Sequence, residues 1–243
     1  SAWQSGICRA LFIVCNILMQ MVRPGTPTVY SNLSTMGDMR SGAYAPGGIE
    51  CGMLNMAHAQ MARFYNVPSS GYVGLTNSKL VDAQAGFEKS LSAMGALLAG
   101  QHVLQFVGLI EALMAFDYSM AVVDNEISLM LKRMWKGLEF SEEDLALDEI
   151  KEIGPAGMFI CTAKTLERME TGAFLPDIAS RETRQAWMEN GSLNASEKAY
   201  QRALDILKED QKTFFSEDVE FKLRSKYIGL VKGELSLPAN WSK

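Results

Sequence analysis

The sequence predicts an α/β fold built on a parallel sheet, and three observations carry that prediction. Short β-like runs alternate with long segments of helical period. The runs lack clean apolar/polar alternation, as strands covered on both faces do. Glycine and proline stand at their borders. The chain has 243 residues, 48% of them hydrophobic. That suffices for one large domain, and α/β barrels reach this size as a single unit.

The first strand-like run is "TPTVY", Thr26–Tyr30, entered through Gly25. A helix follows around Ile49–Tyr65, where Ile49, Met53, Met56, Gln60 and Phe64 recur at spacings of three and four. Pro68 ends it before the second run, "SSGYVGL", Ser69–Leu75. The next helix is Ala83–Leu98, with Phe87, Leu91, Met94 and Leu98 on one stripe. Gly100 punctuates the entry to the third run, "HVLQFVGLI", His102–Ile110. Met120, Val123, Ile127, Met130 and Met134 then mark a helix over Ser119–Trp135.

Beyond Ser141 the pattern changes. "SEED", Ser141–Asp144, and "NASE", Asn194–Glu197, are helix-start boxes. "GPAGMFI", Gly154–Ile160, reads as one more short strand, and the rest is helical and charge-rich. The expected division is residues 1–160 as βα units and 161–243 as a helical tail packed on them. Three or four βα units do not close a barrel of eight strands, so either the sheet is open or half of a barrel is missing. The chain opens at Ser1 inside a helical pattern, as a fragment or a processed chain would.

Composition excludes several functions. A net charge of −5 with no basic block argues against nucleic-acid binding and against a polybasic membrane contact. The apolar stretch Ala10–Val22 is too short for a span and is broken by Asn16 and Gln20, so a buried helix is expected. Cys8, Cys15, Cys51 and Cys161 fit no zinc spacing. They read as buried free thiols in a reducing cytoplasm. No nucleophile elbow, dinucleotide fingerprint or Walker loop is present.

Parallel α/β folds place their sites beyond the carboxyl ends of the strands. That rule selects three loops, Ser31–Gly48, Thr76–Gln84 and Glu111–Tyr118. It sets aside His102, at a strand start, and His58, mid-helix, as structural. The first loop offers Asn32, Asp38 and Arg40: an anion site, or an ion pair that braces the loop. The second offers Lys79, Asp82 and Gln84. Lys79 is a Schiff-base candidate or a surface lysine, and Asp82 a binding group or a helix cap. The third places Glu111 near Leu109, Ile110 and Phe116, where a carboxylate would have a raised pKa or a cationic partner. Aromatic residues near these loops, Phe116 among them, suit a quaternary ammonium ion.

The stretches "VRPGTPTVYSN", "DMRSGA", "GLTNSKLVDAQAGFEK", "VVDNEI", "LALDEIKEIGPAGMFI" and "SRETRQAWMENGS" together resemble the trimethylamine methyltransferase family. The match is in order and covers nearly the whole chain. The resemblance implies a (β/α)8 TIM barrel, of which this chain would be the C-terminal half. It implies transfer of a methyl group from a quaternary or tertiary amine, such as a betaine, to Co(I) of a cobalamin. That corrinoid is carried by a separate protein. In this reading Glu111 is the catalytic carboxylate. Asn32, Arg40, Lys79, Asp82, Gln84 and Phe116 contact the methylated amine. The other readings are a Schiff-base lyase using Lys79 and a non-catalytic half-barrel. A homo-oligomer is expected of a half-barrel with open edges.

Overall fold

The computed structural model describes residues 2–138, 141, 144–169, 171–209 and 215–227, with the backbone alone at 2–5, 8 and 32. The elements run α1 (Ala2–Val22), β1 (Tyr30–Asn32), β2 (Met36–Gly37), β3 (Tyr44–Ala45), α2 (Ile49–Phe64), β4 (Ser69–Tyr72) and α3 (Ala83–Leu98). Then come β5 (Val103–Gln105), β6 (Leu109–Ile110), β7 (Ala115–Phe116) and α4 (Tyr118–Lys136). From there every described element is helical: α5 (Leu147–Ile153), α6 (Ala163–Arg168), α7 (Arg184–Glu189), α8 (Ala195–Lys208) and α9 (Glu217–Lys226).

The expected parallel sheet is present, in the order β1-β4-β5. Its ladder pairs Tyr30 with Ser69 and Ser70 with Val103. The ladders are shorter than the strand-like runs, and the reasons are local. Pro24 and Pro27 cannot donate, so pairing starts only at Tyr30, whose N–H donates to Pro68 O at 2.8 Å. Gly74 ends β4 in the left-handed region, with the Phe106 ring where a Cβ would stand. Gly108, also left-handed, splits the third run. Its second half turns back as the antiparallel hairpin β6-β7.

The run 154–160 is not a strand. Gly154 and Ala156 have positive φ, and the chain folds into a turn followed by a 3-10 segment, Phe159–Cys161. "NASE" forms its capping box: Asn194 and Glu197 satisfy each other's backbone N–H groups. "SEED" instead makes a turn. Asp144 N donates to Ser141 Oγ at 3.1 Å, and α5 starts only at Leu147. Glu142 and Glu143 lie outside the described residues.

The three central helices form where their period places them, but the apolar stripes of α2 and α3 face outward. Ile49, Met53 and Phe64 are exposed, as are Phe87, Leu91 and Leu98. The buried side is Cys51, Asn55, His58 and Ala62 on α2 and Ala85, Lys89, Ala93 and Ala96 on α3. Small residues let the helices approach closely. A Cβ on Gly52 would stand 3.1 Å from Ser92 Cα. The core proper joins Val73, Ala93, Ala96, Leu97, Ile127 and Leu131.

Helix α1 exists as expected but is not buried. Phe12 packs edge-on against Tyr30 at 4.4 Å, whereas Leu11, Ile17, Leu18 and Val22 are exposed because no described element covers their side. Cys15 on this helix and Cys161 are exposed too, and only Cys51 matches the buried-thiol expectation among the cysteines whose side chains are described. Among the described residues no helix is long and apolar enough to cross a membrane.

His58 is structural, as expected. It is buried beside Tyr30, and neither ring nitrogen has a hydrogen-bond partner among the described residues. Burial pushes its pKa down from 6.5 to about 4. The unfolded chain therefore takes up a proton near pH 6.5, and the folded chain only near pH 4. Stability is fully present above pH 6.5 and falls as pH drops toward 4. The loss from this group is roughly 3 kcal/mol. Urea titrations at successive pH values should show it, and His58→Leu should flatten that part of the profile.

Candidate functional site

Three loops leave the carboxyl ends of β1, β4 and β5, and polar side chains, some buried and some half-buried, stitch them together. The centre of the first stitch is Glu88 on α3. Its Oε2 accepts from Thr76 Oγ1 at 2.6 Å and from Asn77 N at 2.9 Å, and its Oε1 from Gln84 Nε2 at 2.9 Å. Asn77 then reaches the first loop. Its Oδ1 accepts from Gly47 N at 2.9 Å, and its Nδ2 donates to Tyr44 O at 2.8 Å. Gly47 must lack a side chain, because a Cβ would lie 2.8 Å from Asn77 N.

The second stitch holds the β6-β7 hairpin. Lys89, the neighbour of Glu88, and Asp124 of α4 are wholly buried and 3.1 Å apart. Lys89 Nζ donates to Leu109 O at 2.9 Å, and Gly108 N donates to Asp124 Oδ2 at 2.7 Å. Burial opposes both charges. It lowers the Lys89 pKa and raises that of Asp124 to about 6, against the pull of the partner and of the Gly108 N–H. At the hairpin's tip Glu111, Ala112 and Leu113 all have positive φ, 50°, 55° and 75°. Each such residue costs about 1–2 kcal/mol. Neighbours offset it: Glu111 N donates to Ser78 O at 2.7 Å, and Ala112 N to Thr76 O at 2.9 Å.

A third anchor fixes the tail. Glu126 of α4 accepts three consecutive backbone N–H groups, from Asp177, Ile178 and Ala179, at 2.8, 2.9 and 3.0 Å. Helix α8 packs on α4, and Ser196 Oγ donates to Val81 O. This leaves a cleft of about 690 Å³ between Lys79–Ala83, Ile110, the start of α4 and the first turn of α8.

The sheet has a second face. Tyr30, Gly71 and Leu104 point toward the helices, so alternation turns Ser31, Ser70, Tyr72, Val103 and Gln105 the other way. Gln105 Nε2 donates to Ser70 Oγ at 2.5 Å, which confirms that these two share a face. No charged residue stands among these five.

The residues singled out from sequence fare differently. Arg40 binds Asp38 within its own loop, Nη2 to Oδ2 at 2.9 Å and Nε to Oδ1 at 3.1 Å. The guanidinium holds the Asp38 carboxyl down at about 2. This is the bracing ion pair. Lys79 is exposed and donates to Asn77 O at 2.8 Å, whereas a Schiff-base lysine is held in an apolar pocket. Asp82 caps α3, accepting from Ala85 N and Ser78 Oγ at 2.9 Å each. Gln84 serves Glu88. The Asn32 side chain lies outside the described residues.

Glu111 departs from expectation. It is exposed at the start of a left-handed turn, and no cationic side chain pairs with it among the described residues. Phe116 packs against Tyr118, ring centroids 5.4 Å apart, and its ring covers Gly108. Sequence reasoning missed Glu88, Lys89, Asp124 and Glu126. Their signal was their place inside "DAQAGFEK" and "DNEI", the most distinctive stretches of the chain.

Fold and site together define an α/β chain whose polar machinery is gathered beyond the carboxyl ends of a parallel sheet. The chain belongs to the trimethylamine methyltransferase family, whose pattern, described as Trimethylamine methyltransferase (MTTB), matches residues 8–235. It is 35% identical over 209 residues to the glycine betaine methyltransferase of Desulfitobacterium hafniense (strain Y51), covering 86% of this chain and 43% of that protein. It is 33% identical to the trimethylamine methyltransferase MttB of D. hafniense (strain DSM 10664 / DCB-2), covering 86% and 42%. The corresponding protein of Methanosarcina thermophila is 29% identical, covering 80% and 40%. The chain thus spans less than half the length of these relatives.

Proposed function

We propose that this chain is part of an amine methyltransferase that passes a methyl group from a quaternary or tertiary amine to a corrinoid carried by a partner protein. We also propose that the remaining length found in its relatives completes a (β/α)8 barrel around β1-β4-β5, with residues 161–243 as an outer helical tail. One observation carries the reading. Barrel interiors are filled by bulky branched side chains, yet the face of this sheet turned from the helices bears Ser31, Ser70, Tyr72 and Gln105, with Val103 its one branched side chain. Polar residues at such positions mark a cavity that holds a polar ligand.

The chemistry of that face suits a methylated ammonium ion. A quaternary nitrogen has no N–H to donate, so it needs aromatic faces and oxygen acceptors rather than a salt bridge. Tyr72 supplies the ring. Gln105 is anchored through its Nε2 to Ser70, which leaves its carbonyl oxygen as an acceptor. We assign Glu111 and Phe116, both exposed on the β6-β7 hairpin, to the same site as a carboxylate and a second aromatic edge. The stitched loops fix these groups relative to the strand ends, so alignment of the amine for in-line attack is built in before binding.

The acceptor is the Co(I) centre of the cobalamin, which acts as the nucleophile.

The test uses the full-length protein with reduced corrinoid protein and a panel of betaines and methylamines. A quaternary amine should change the corrinoid spectrum. Glu111→Gln should slow that change at least about tenfold, the scale of a lost charge-assisted contact. A panel without any spectral change would overturn the proposal.

A further inference from the structure

We infer that Glu88 is a positioning residue: through Thr76 it holds the strained tip of the β6-β7 hairpin, and so sets where the Glu111 carboxylate stands. What Glu111 then does rests on the methyl-transfer reading; how it is held rests on the hydrogen bonds alone.

Three consecutive non-glycine residues, Glu111, Ala112 and Leu113, keep left-handed backbone. A Cβ disfavours that region, and a run of three persists only where the surroundings over-determine it. Two carbonyls of the loop after β4 grip the tip. Glu111 N donates to Ser78 O at 2.7 Å, and Ala112 N to Thr76 O at 2.9 Å. That loop is itself pinned by one side chain. Thr76 Oγ1 donates to Glu88 Oε2 at 2.6 Å, and Asn77 N donates to the same oxygen at 2.9 Å. Thr76 Oγ1 also accepts from Ser78 N at 2.9 Å, so both gripping residues hang on the Thr76 hydroxyl. Thr76 and Ser78 are buried, where a lost partner is not cheaply replaced by water.

A carboxylate is the acceptor that makes the strongest bonds of this kind. Glu88 gives both its oxygens to neutral donors, Thr76, Asn77 and Gln84. Lys89, the next residue, holds the other end of the hairpin through Leu109 O at 2.9 Å. One turn of α3 therefore clamps the hairpin at base and tip, and α3 is seated between α2 and α4. Cutting the link between Thr76 and Glu88 frees the loop carbonyls. The tip then relaxes toward right-handed backbone and re-aims the Glu111 side chain, while the helices stay folded.

Two measurements on the full-length protein test this. Hydrogen exchange read by mass spectrometry reports on the tip, in a peptide spanning residues 108–116, with α2 as the control. Thr76→Val keeps the shape and removes the hydroxyl. It should speed exchange at the tip at least about tenfold and leave α2 unchanged. Thr76→Ser, which keeps the hydroxyl, should stay slow. Glu88→Met repeats the test from the other partner should Thr76→Val fail to fold. The corrinoid spectral change with the panel of betaines and methylamines reads the consequence. With an amine that the wild type turns over, Thr76→Val should be at least about tenfold slower, and Thr76→Ser should restore the rate. Thr76→Val/Glu111→Gln should be no more than about twofold slower than Glu111→Gln alone, because the group being positioned is already gone. A merely structural role would multiply the two losses. Wild-type exchange at the tip of Thr76→Val overturns the inference. So do a wild-type rate in that variant, losses that multiply, and a Thr76→Ser that restores nothing. A wild type that turns over no amine overturns the methyl-transfer reading instead, and the exchange measurement then decides the clamp by itself.

Discussion

Asp124→Ala is expected to lower the stability of the fold by about 3–5 kcal/mol, the cost of leaving a buried charge without its partner. Lys89 and Asp124 are wholly buried, so neither can turn to water when the other is removed. The variant also strips Gly108 N of its acceptor. Lys89→Met should be similarly costly, since it strands the carboxylate. Lys89→Met/Asp124→Leu should lose less than the sum of the two singles, because no uncompensated charge remains. Urea unfolding of the four proteins measures this directly. Singles that cost less than about 1 kcal/mol would show that the pair is solvated or dispensable. The consequence reaches beyond stability, because Gly108 and Leu109 form the base of the hairpin that carries Glu111.

Glu126→Ala is expected to cost roughly 3 kcal/mol or more, since hydrogen bonds to a charged acceptor contribute about 1.5–3 kcal/mol each and do not simply add. Three are lost together, and Ile178 is buried where water cannot readily replace them. The effect should be local as well as global. The segment around Asp177–Ala179 should become sensitive to limited proteolysis, whereas α2 and α3 should keep their amide protection. Glu126→Gln, which retains one oxygen, should fall between. Proteolysis indistinguishable from wild type would mean that α8 on α4 holds the tail without this anchor.

Helix positions were largely legible in the sequence, and helix orientation was not. The period in α2, α3 and α4 located them to within about one residue at each end. Period alone says that a helix has two unlike sides. It does not say which side meets the sheet. In α2 and α3 the buried side is made largely of small and polar residues, Cys51, Gly52, Asn55, His58, Lys89 and Ser92 among them, and the periodic apolar stripes face out. Strand ends were missed where tertiary neighbours decide them: Phe106 against Gly74 and Phe116 against Gly108.

The site divided along the same line. The rule of strand carboxyl ends found the three loops, because it follows from backbone topology. It could not find Glu88, Lys89, Asp124 or Glu126, which sit within helices. A charged residue in a helix reads as solvated until its partner is known. Here the partners lie 11 residues away for Asn77 on Glu88 and 51 for Asp177 on Glu126. Arg40 shows the converse. It had the residue type of an anion site, but a neighbour two positions away satisfies it.

The Glu126 anchor sets an order of events during synthesis. Its first acceptor contact, with Asp177 N, closes a span of 51 residues. At about 5–20 residues per second, the carboxylate emerges roughly 3–10 s before its donors exist. Through that interval α4 carries an anion with nothing to bind, and the nascent chain holds a docking point for a segment not yet made. The N-terminal βα units can assemble meanwhile, and the tail latches on last.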